Sequence, residues 1–216
     1  AGEIASRLAV RFTLDNFLKR MYEISNSTAE KQNMITKEIV SEVNQSICEI
    51  TKKSPQLSNM GTTLLVAIRV NKSLTIGHVG DCRGYLVRDN TITLLTEDHS
   101  LAMLLYKKGE IKKEEIRTHP DRNKILRSIG ATKNINIDGL EKVLNKEAIE
   151  LEEGDIIILC TDGVWEKVEN EEILNIVLSK EITNPARFLV EKANERGGED
   201  NSTAVVIKMV KKQNEN

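Results

Sequence analysis

Residues 61–100 read GTTLLVAIRV NKSLTIGHVG DCRGYLVRDN TITLLTEDHS, and the fold is decided by how this stretch is punctuated. Thr62 to Val70 is rich in β-branched and aliphatic residues, which suit a pleated backbone. Asn71-Lys72 separates it from Ser73–Val79, and Asp89-Asn90 separates Tyr85–Arg88 from Thr91–Leu95. Two-residue connections built on Asn or Asp are tight hairpin turns. The spacing predicts a meander of antiparallel strands, followed by a change of character near Asp98.

Upstream, Ile4, Leu8, Phe12 and Leu18 recur at near-helical spacing, and Ile35, Ile39, Val43 and Ile47 repeat every four residues. Two long amphipathic helices are expected, with Ser25-Asn26-Ser27-Thr28 as a loop or the start of the second. Downstream, Asp98 to Ile129 reads as helical and charged, ending at Gly130, and strands return near Ile135–Ile137 and Ala148–Leu151. Ile156–Cys160 is a continuous apolar run after the turn Glu153-Gly154-Asp155, which predicts a strand buried on both faces. Asn170 is the expected cap of one later helix, with Glu171 and Glu172 in its first turn. Asn184 and Pro185 open another, which Gly197-Gly198 ends. Ser202–Met209 is the last expected strand. The order favours α+β, an α-β-β-α sandwich of two antiparallel sheets flanked by helices, over a parallel doubly wound sheet. Residues 1–210 are expected to be one domain and 211–216 a polar tail.

The chain has 216 residues, a formal net charge of -2, 39% hydrophobic and 30% charged residues. Nothing in that balance advertises nucleic-acid binding. No apolar run approaches the roughly 18 residues of a membrane span, and no signal peptide is legible. Cys48, Cys82 and Cys160 lack zinc or disulfide spacing and are expected to be free thiols in a reducing cytoplasm. The sequence opens on Ala1 and reads as helix from Gly2, so a processed or truncated N-terminus is expected.

Three short acidic motifs sit where expected strands meet turns: Val79-Gly80-Asp81-Cys82-Arg83, Cys160-Thr161-Asp162-Gly163 and Gly198-Glu199-Asp200-Asn201. Carboxylates placed this way can converge on a hard cation, since Mg²⁺ and Mn²⁺ prefer oxygen ligands. Two such ions about 3.5–4 Å apart ready a water for attack on phosphorus. Asp-Gly alone is usually a turn. Asp162, directly after an apolar strand, is the best single candidate.

Taken in order, six motifs resemble the protein phosphatase 2C family, bacterial serine/threonine type. They are Gly61-Thr62-Thr63, Gly80-Asp81-Cys82-Arg83, Leu95-Thr96-Glu97-Asp98-His99-Ser100, Arg117-Thr118-His119-Pro120-Asp121-Arg122-Asn123, Thr161-Asp162-Gly163-Val164-Trp165 and Asp200-Asn201-Ser202-Thr203. The resemblance implies a metal-dependent phosphatase acting on phosphoserine and phosphothreonine in proteins and opposing a eukaryotic-like kinase. It implies two Mn²⁺ or Mg²⁺ ions, or three. Asp162 would bind or bridge the metal pair and Asp200 would ligate one of them. Asp81 with Asp162 would hold a third, weaker ion, and Gly163 and Asn201 would support the site. Ser100 to Asn123 would cover the helices and flap beside the cleft, and Gly61-Thr62-Thr63 would open a central strand. A cytoplasmic monomer is expected.

The family's Arg-x-x-Asn-Glu-Asp and Asp-Gly-x-Gly-Gly motifs, which bring a phosphate-binding arginine, a bridging aspartate and often a general-acid histidine, do not occur in these residues. The strands that carry them are expected to be missing as well, leaving apolar sheet surface and edges prone to aggregation. Weak metal binding and little activity are therefore expected, and two other readings stand beside the enzyme: a non-catalytic, pseudophosphatase-like binding module, and a partner-switching phosphatase of a regulatory protein. His78 is expected in the core, with His99 and His119 near the flap. Cys82 and Cys160 are expected to act as small hydrophobes, and Trp165 to pack under the site. Arg83, Arg122 and Arg127 have the geometry to bind phosphate, with structural pairing as the competing expectation. Lys107 to Glu115 is expected to be a solvated surface.

Overall fold

The structure, a computed structural model, describes residues 2–58 and 60–211. The elements run α1 (Gly2–Ser25), α2 (Ala29–Lys53), β1 (Leu64–Val70), β2 (Ser73–Val79), β3 (Arg83–Arg88), β4 (Thr91–Leu94), α3 (Leu101–Lys107), α4 (Glu141–Leu144), β5 (Ile149–Glu150), β6 (Ile156–Cys160), α5 (Asp162–Trp165), α6 (Asn170–Leu178), α7 (Pro185–Glu195) and β7 (Ala204–Lys208). They make an α+β fold with two antiparallel sheets. No helix among the described residues is long and apolar enough to cross a membrane. The chain divides into two compact units, Ala1–Cys82 with Thr96–Ile149 and Arg83–Leu95 with Glu150–Asn216.

In the first unit, α2 starts at Thr28, whose side chain accepts from the backbone N–H of Lys31. Its four-residue stripe of Ile35, Ile39, Val43 and Ile47 is fully buried and packs with Val66, Ile68 and Val79 of β1 and β2. The sheet order is β1-β2-β5, and the hairpin register closes Val70 onto Ser73 across Asn71, which takes φ 55°. In the second unit the order is β4-β3-β6-β7, with Arg88 opposite Thr91 across Asp89 (φ 50°) and Asn90 (φ 56°). Strand β6 is central, which explains why its apolar run has no polar alternation. Arg88 grips the buried Asp155 from Nε (2.9 Å) and Nη2 (2.6 Å), fixing the turn that feeds β6. Tyr85, Ile158, Val164, Trp165, Ile173 and Leu189 form this unit's core.

Several expectations are corrected. The hairpins β1-β2 and β3-β4 belong to different sheets instead of one meander, because Gly80-Asp81-Cys82 interrupts the ladder and β3 pairs with β6. Strand β1 is not central but stands at the edge of its sheet among the described residues. The stretch 98–129 holds only the short α3 and a 3-10 turn at Lys113–Glu115; Gly109 (φ 74°) and Pro120 break the rest. Residues 135–137 form no strand, and only Asp138 bridges, to His78. The cap of α6 is Glu169, in a capping box with Glu172, and Asn170 is already helical. Asn184 does cap α7, accepting from the N–H of Arg187 with Pro185 behind it. Of the polar tail, residues 212–216 lie outside the described residues.

Candidate metal centre

Strand β6 delivers Thr161 and Asp162 to its C-terminal end, where the chain turns directly into α5. Asp162 Oδ1 accepts from the N–H of Gly163 at 2.9 Å, and Asp200 Oδ1 accepts from the N–H of Asn201 at 2.7 Å. Thr161 ties the two acidic segments together. Its N–H donates to Thr203 O (3.1 Å) and its hydroxyl donates to Asn201 O (3.1 Å), while Thr203 N–H donates back to the hydroxyl (3.0 Å). The fit is close enough to require glycine at 163, since a Cβ there would lie 2.7 Å from Asn201 O and 2.8 Å from Ser202 Oγ.

This arrangement is electrostatically unfavourable by itself. Burial pushes the Asp162 carboxyl above its ordinary value, and the neighbouring Asp200 carboxylate pushes it the same way. Trp165, at the end of α5, is buried and takes the Arg83 guanidinium over its ring, 3.5 Å from the centroid. Arg83 is thereby engaged in a cation–π contact.

The other expected ligand, Asp81, belongs to the first unit and is buried there. It follows Gly80, whose φ of +112° is a glycine conformation and whose missing Cβ would lie 2.3 Å from Thr63 Cγ2. Gly80 exchanges two hydrogen bonds with His99: its carbonyl accepts from the His99 N–H (2.8 Å) and its N–H donates to His99 Nδ1 (2.9 Å). His99 Nε2 lies 3.1 Å from Asp138 Oδ2, and Arg127 donates to Asp138 Oδ1 at 2.9 Å. Burial pushes Asp138 up, but the hydrogen bonds from His99 and Arg127 outweigh it and hold the carboxyl well below its usual range. The buried His78 ring lies 4.9 Å from that of His99, and desolvation brings it down to about 3, helped by His99.

Asp162, Asp200, Gly163 and Asn201 are thus gathered in one unit, and Asp81 stands in the other. Cys82 is only half-buried, 3.2 Å from Thr63 Oγ1, while Cys160 is in the core. His119 caps its own loop, accepting from Asp121 N–H at 3.1 Å. Arg127 takes the structural pairing. The Thr161 clamp and the pairing of His99 with Asp138 were not anticipated; neither makes a periodic signal, and Asp138 lies just past the expected strand at Ile135–Ile137.

The protein phosphatase 2C profile matches residues 1–196. The serine/threonine phosphatase Stp of Listeria welshimeri is 35% identical over 208 residues, 96% of this chain and 79% of its own length. The chain belongs to the protein phosphatase 2C family. The likeness extends to three dimensions. The solved serine/threonine phosphatase PstP of Mycobacterium tuberculosis superposes with a TM-score of 0.84 at 28% identity, over 98% of this chain and 85% of that one. A catalytic domain of PstP solved with two manganese ions gives 0.81 at 29% identity, over 98% and 83%. The chain is accordingly a metal-dependent protein-serine/threonine phosphatase by family.

In this phosphatase the donor set fits a hard cation in kind: Asp162, partly desolvated and destabilised by the neighbouring Asp200 carboxylate, would hold a divalent ion together with Asp200, and the ion would supply the missing positive charge. In number the set is sparse. Among the described residues no group of three or more His, Cys, Asp or Glu side chains is gathered to hold an ion.

Proposed function

We propose that Asp162 and Asp200 ligate the metal pair, that Asp81 is a ligand of a further and weaker ion, and that phosphoserine and phosphothreonine of protein substrates are hydrolysed by this phosphatase. The observation that carries this reading is the juxtaposition of Asp162 and Asp200 across the Thr161 clamp. When bound, the ions supply charge to neutralise the phosphoryl group and a readied water for in-line attack. The chain's own part is positional. Gly163 N–H and Asn201 N–H each hold Oδ1 of a carboxylate, so both side chains arrive oriented. Thr161 keeps the Asp200 segment against the end of β6. Asp162 must be unprotonated to ligate, and the cation itself reverses the upward push on its carboxyl.

Residues 1–210 act as one catalytic domain, a reading supported by the profile match across residues 1–196. Manganese is the favoured ion because PstP was solved with it. The relatives' names support phosphoproteins as substrates; a cognate serine/threonine kinase, a cytoplasmic setting and a monomeric state complete the reading.

The test is phosphate release from a phosphothreonine peptide at saturating Mn²⁺. We expect release to disappear with a chelator and to fall about a hundredfold or more in Asp162→Asn and Asp200→Asn, the scale for loss of groups that stabilise transition-state charge. Release that survives both substitutions sinks the assignment.

A further inference from the structure

His99 takes no part in the proposed chemistry, yet its ring is buried and both ring nitrogens are used, one on Gly80 and one on Asp138. The His99 side chain is 1% exposed. Nδ1 accepts the Gly80 N–H, so it carries no proton, and the ring proton is on Nε2, facing Asp138 Oδ2. Asp138 is held in turn by Arg127 on its other oxygen. The backbone of His99 adds a second tie, since its N–H reaches Gly80 O and its carbonyl accepts from Leu126 N–H at 2.7 Å. Three other segments of the same unit therefore meet on His99, through its ring or its backbone: the Gly80 turn, 126–127 and Asp138.

Gly80 is the residue before Asp81, in a left-handed conformation packed against Thr63. Such a turn has few alternatives for its N–H once buried, and an unpaired buried N–H is costly. We propose that His99 is a positioning residue for Asp81: its Nδ1, oriented by Asp138 and Arg127, fixes the Gly80 N–H and so aims the Asp81 carboxylate. This rests on the reading of Asp81 as a ligand of the weaker ion. It parallels the way partners of ligand side chains tune metal sites, although here the partner acts through the backbone beside the ligand.

Two substitutions separate the ring's two jobs. His99→Asn keeps an acceptor oxygen where Nδ1 stands, and His99→Gln keeps a donor where Nε2 stands. The measurement is a Mn²⁺ titration followed by the paramagnetic resonance of free ion, with melting in chelator recorded alongside. His99→Gln is expected to raise the Mn²⁺ concentration that half-fills the weakest site about tenfold, and His99→Asn to stay within about twofold of the parent, on the scale known for such partners. An equal shift in both variants, or none in either, overturns the proposal, because a merely structural histidine would lower both melting temperatures without separating the two. Asp81→Asn is the control. If it loses the weakest site while His99→Gln does not, only the His99 role fails; if it leaves binding unchanged, the ligand reading fails and the positioning role falls with it. Should the variants not fold, ¹⁵N spectra of the unmodified chain decide. A proton on Nε2 with a bare Nδ1, and a Gly80 amide that moves on adding Mg²⁺, support the proposal; a proton on Nδ1 or an indifferent amide overturns it.

Discussion

Thr161 shows how much a single hydroxyl can organise. It donates to Asn201 O and accepts from Thr203 N–H, so one side chain holds the segment that carries Asp200 against the strand end that carries Asp162. Thr161→Val keeps the shape and loses both bonds, leaving polar backbone groups to find water. The expected cost is about 1–3 kcal/mol by denaturant unfolding, with weaker Mn²⁺ binding than the parent. Asp162→Asn should act in the opposite sense on metal-free protein. It removes the repulsion from Asp200 and the burial of a charge, so the chelated variant should be more stable by on the order of 1 kcal/mol, the scale of exposed charge pairs. The same variant should gain nothing in melting temperature from Mn²⁺, whereas the parent should gain. The strand end that carries Asp162 and Gly163 was legible in the sequence because an apolar run closing on Thr-Asp-Gly is a local pattern. Thr161's clamp and His99's pairing with Asp138 were not, because each depends on a contact across about 40 residues of chain.

Among the elements, those with a strong period were the readable ones. The four-residue repeat of Ile35, Ile39, Val43 and Ile47 has each of those side chains at 0% exposure, and the two Asn/Asp turns fall where the strands reverse. Ile39→Ala is expected to destabilise the chain by about 2–5 kcal/mol, the range for emptying a buried aliphatic site, with chemical denaturation as the readout. Residues 98–129 do not form the expected helix, for a physical reason. Their charge and spacing resemble a helix, but most of their order comes from tertiary ties: Leu126 to His99, Leu101 to Lys124, Thr62 to Ile129 and Asn44 to Gly130. Asn44 illustrates the point, donating to the carbonyls of Thr132 and Lys133 while accepting from Gly130, so a helix side chain from far upstream shapes a loop that has no period of its own. The β2-to-β3 switch between sheets was hidden likewise, since alternation of side chains says which residues face a core but not which sheet owns them.

Across the whole molecule, the two units should respond differently to acid. His78 belongs to the first unit, and its ring is held neutral down to about 3 by burial, with His99 and Arg127 adding to the effect and Asp138 opposing it. In the unfolded chain that ring protonates near 6.5. Between those values the unfolded state binds one more proton, so stability rises with pH and falls as the medium is acidified, by about 1.4 kcal/mol per pH unit for a single group. The second unit has no counterpart in that window. Glu172, held at about 2 chiefly by Arg196, and Asp155, kept low by Arg88 against its burial, withdraw stability only as pH falls below the ordinary carboxylate range. Asp162 has the reverse sign, since a carboxyl raised in the folded state loses stability as pH rises. Acidification from pH 7 to 5 should therefore loosen the first unit while the second holds. Hydrogen exchange corrected for its intrinsic pH dependence should show protection falling in α2, β1 and β2 before it falls in β3, β6 and β7. His78→Leu, which removes the titrating ring, should flatten that loss. Equal loss in both units at pH 5, or a slope that survives the substitution, would show that the acid response lies elsewhere than in His78.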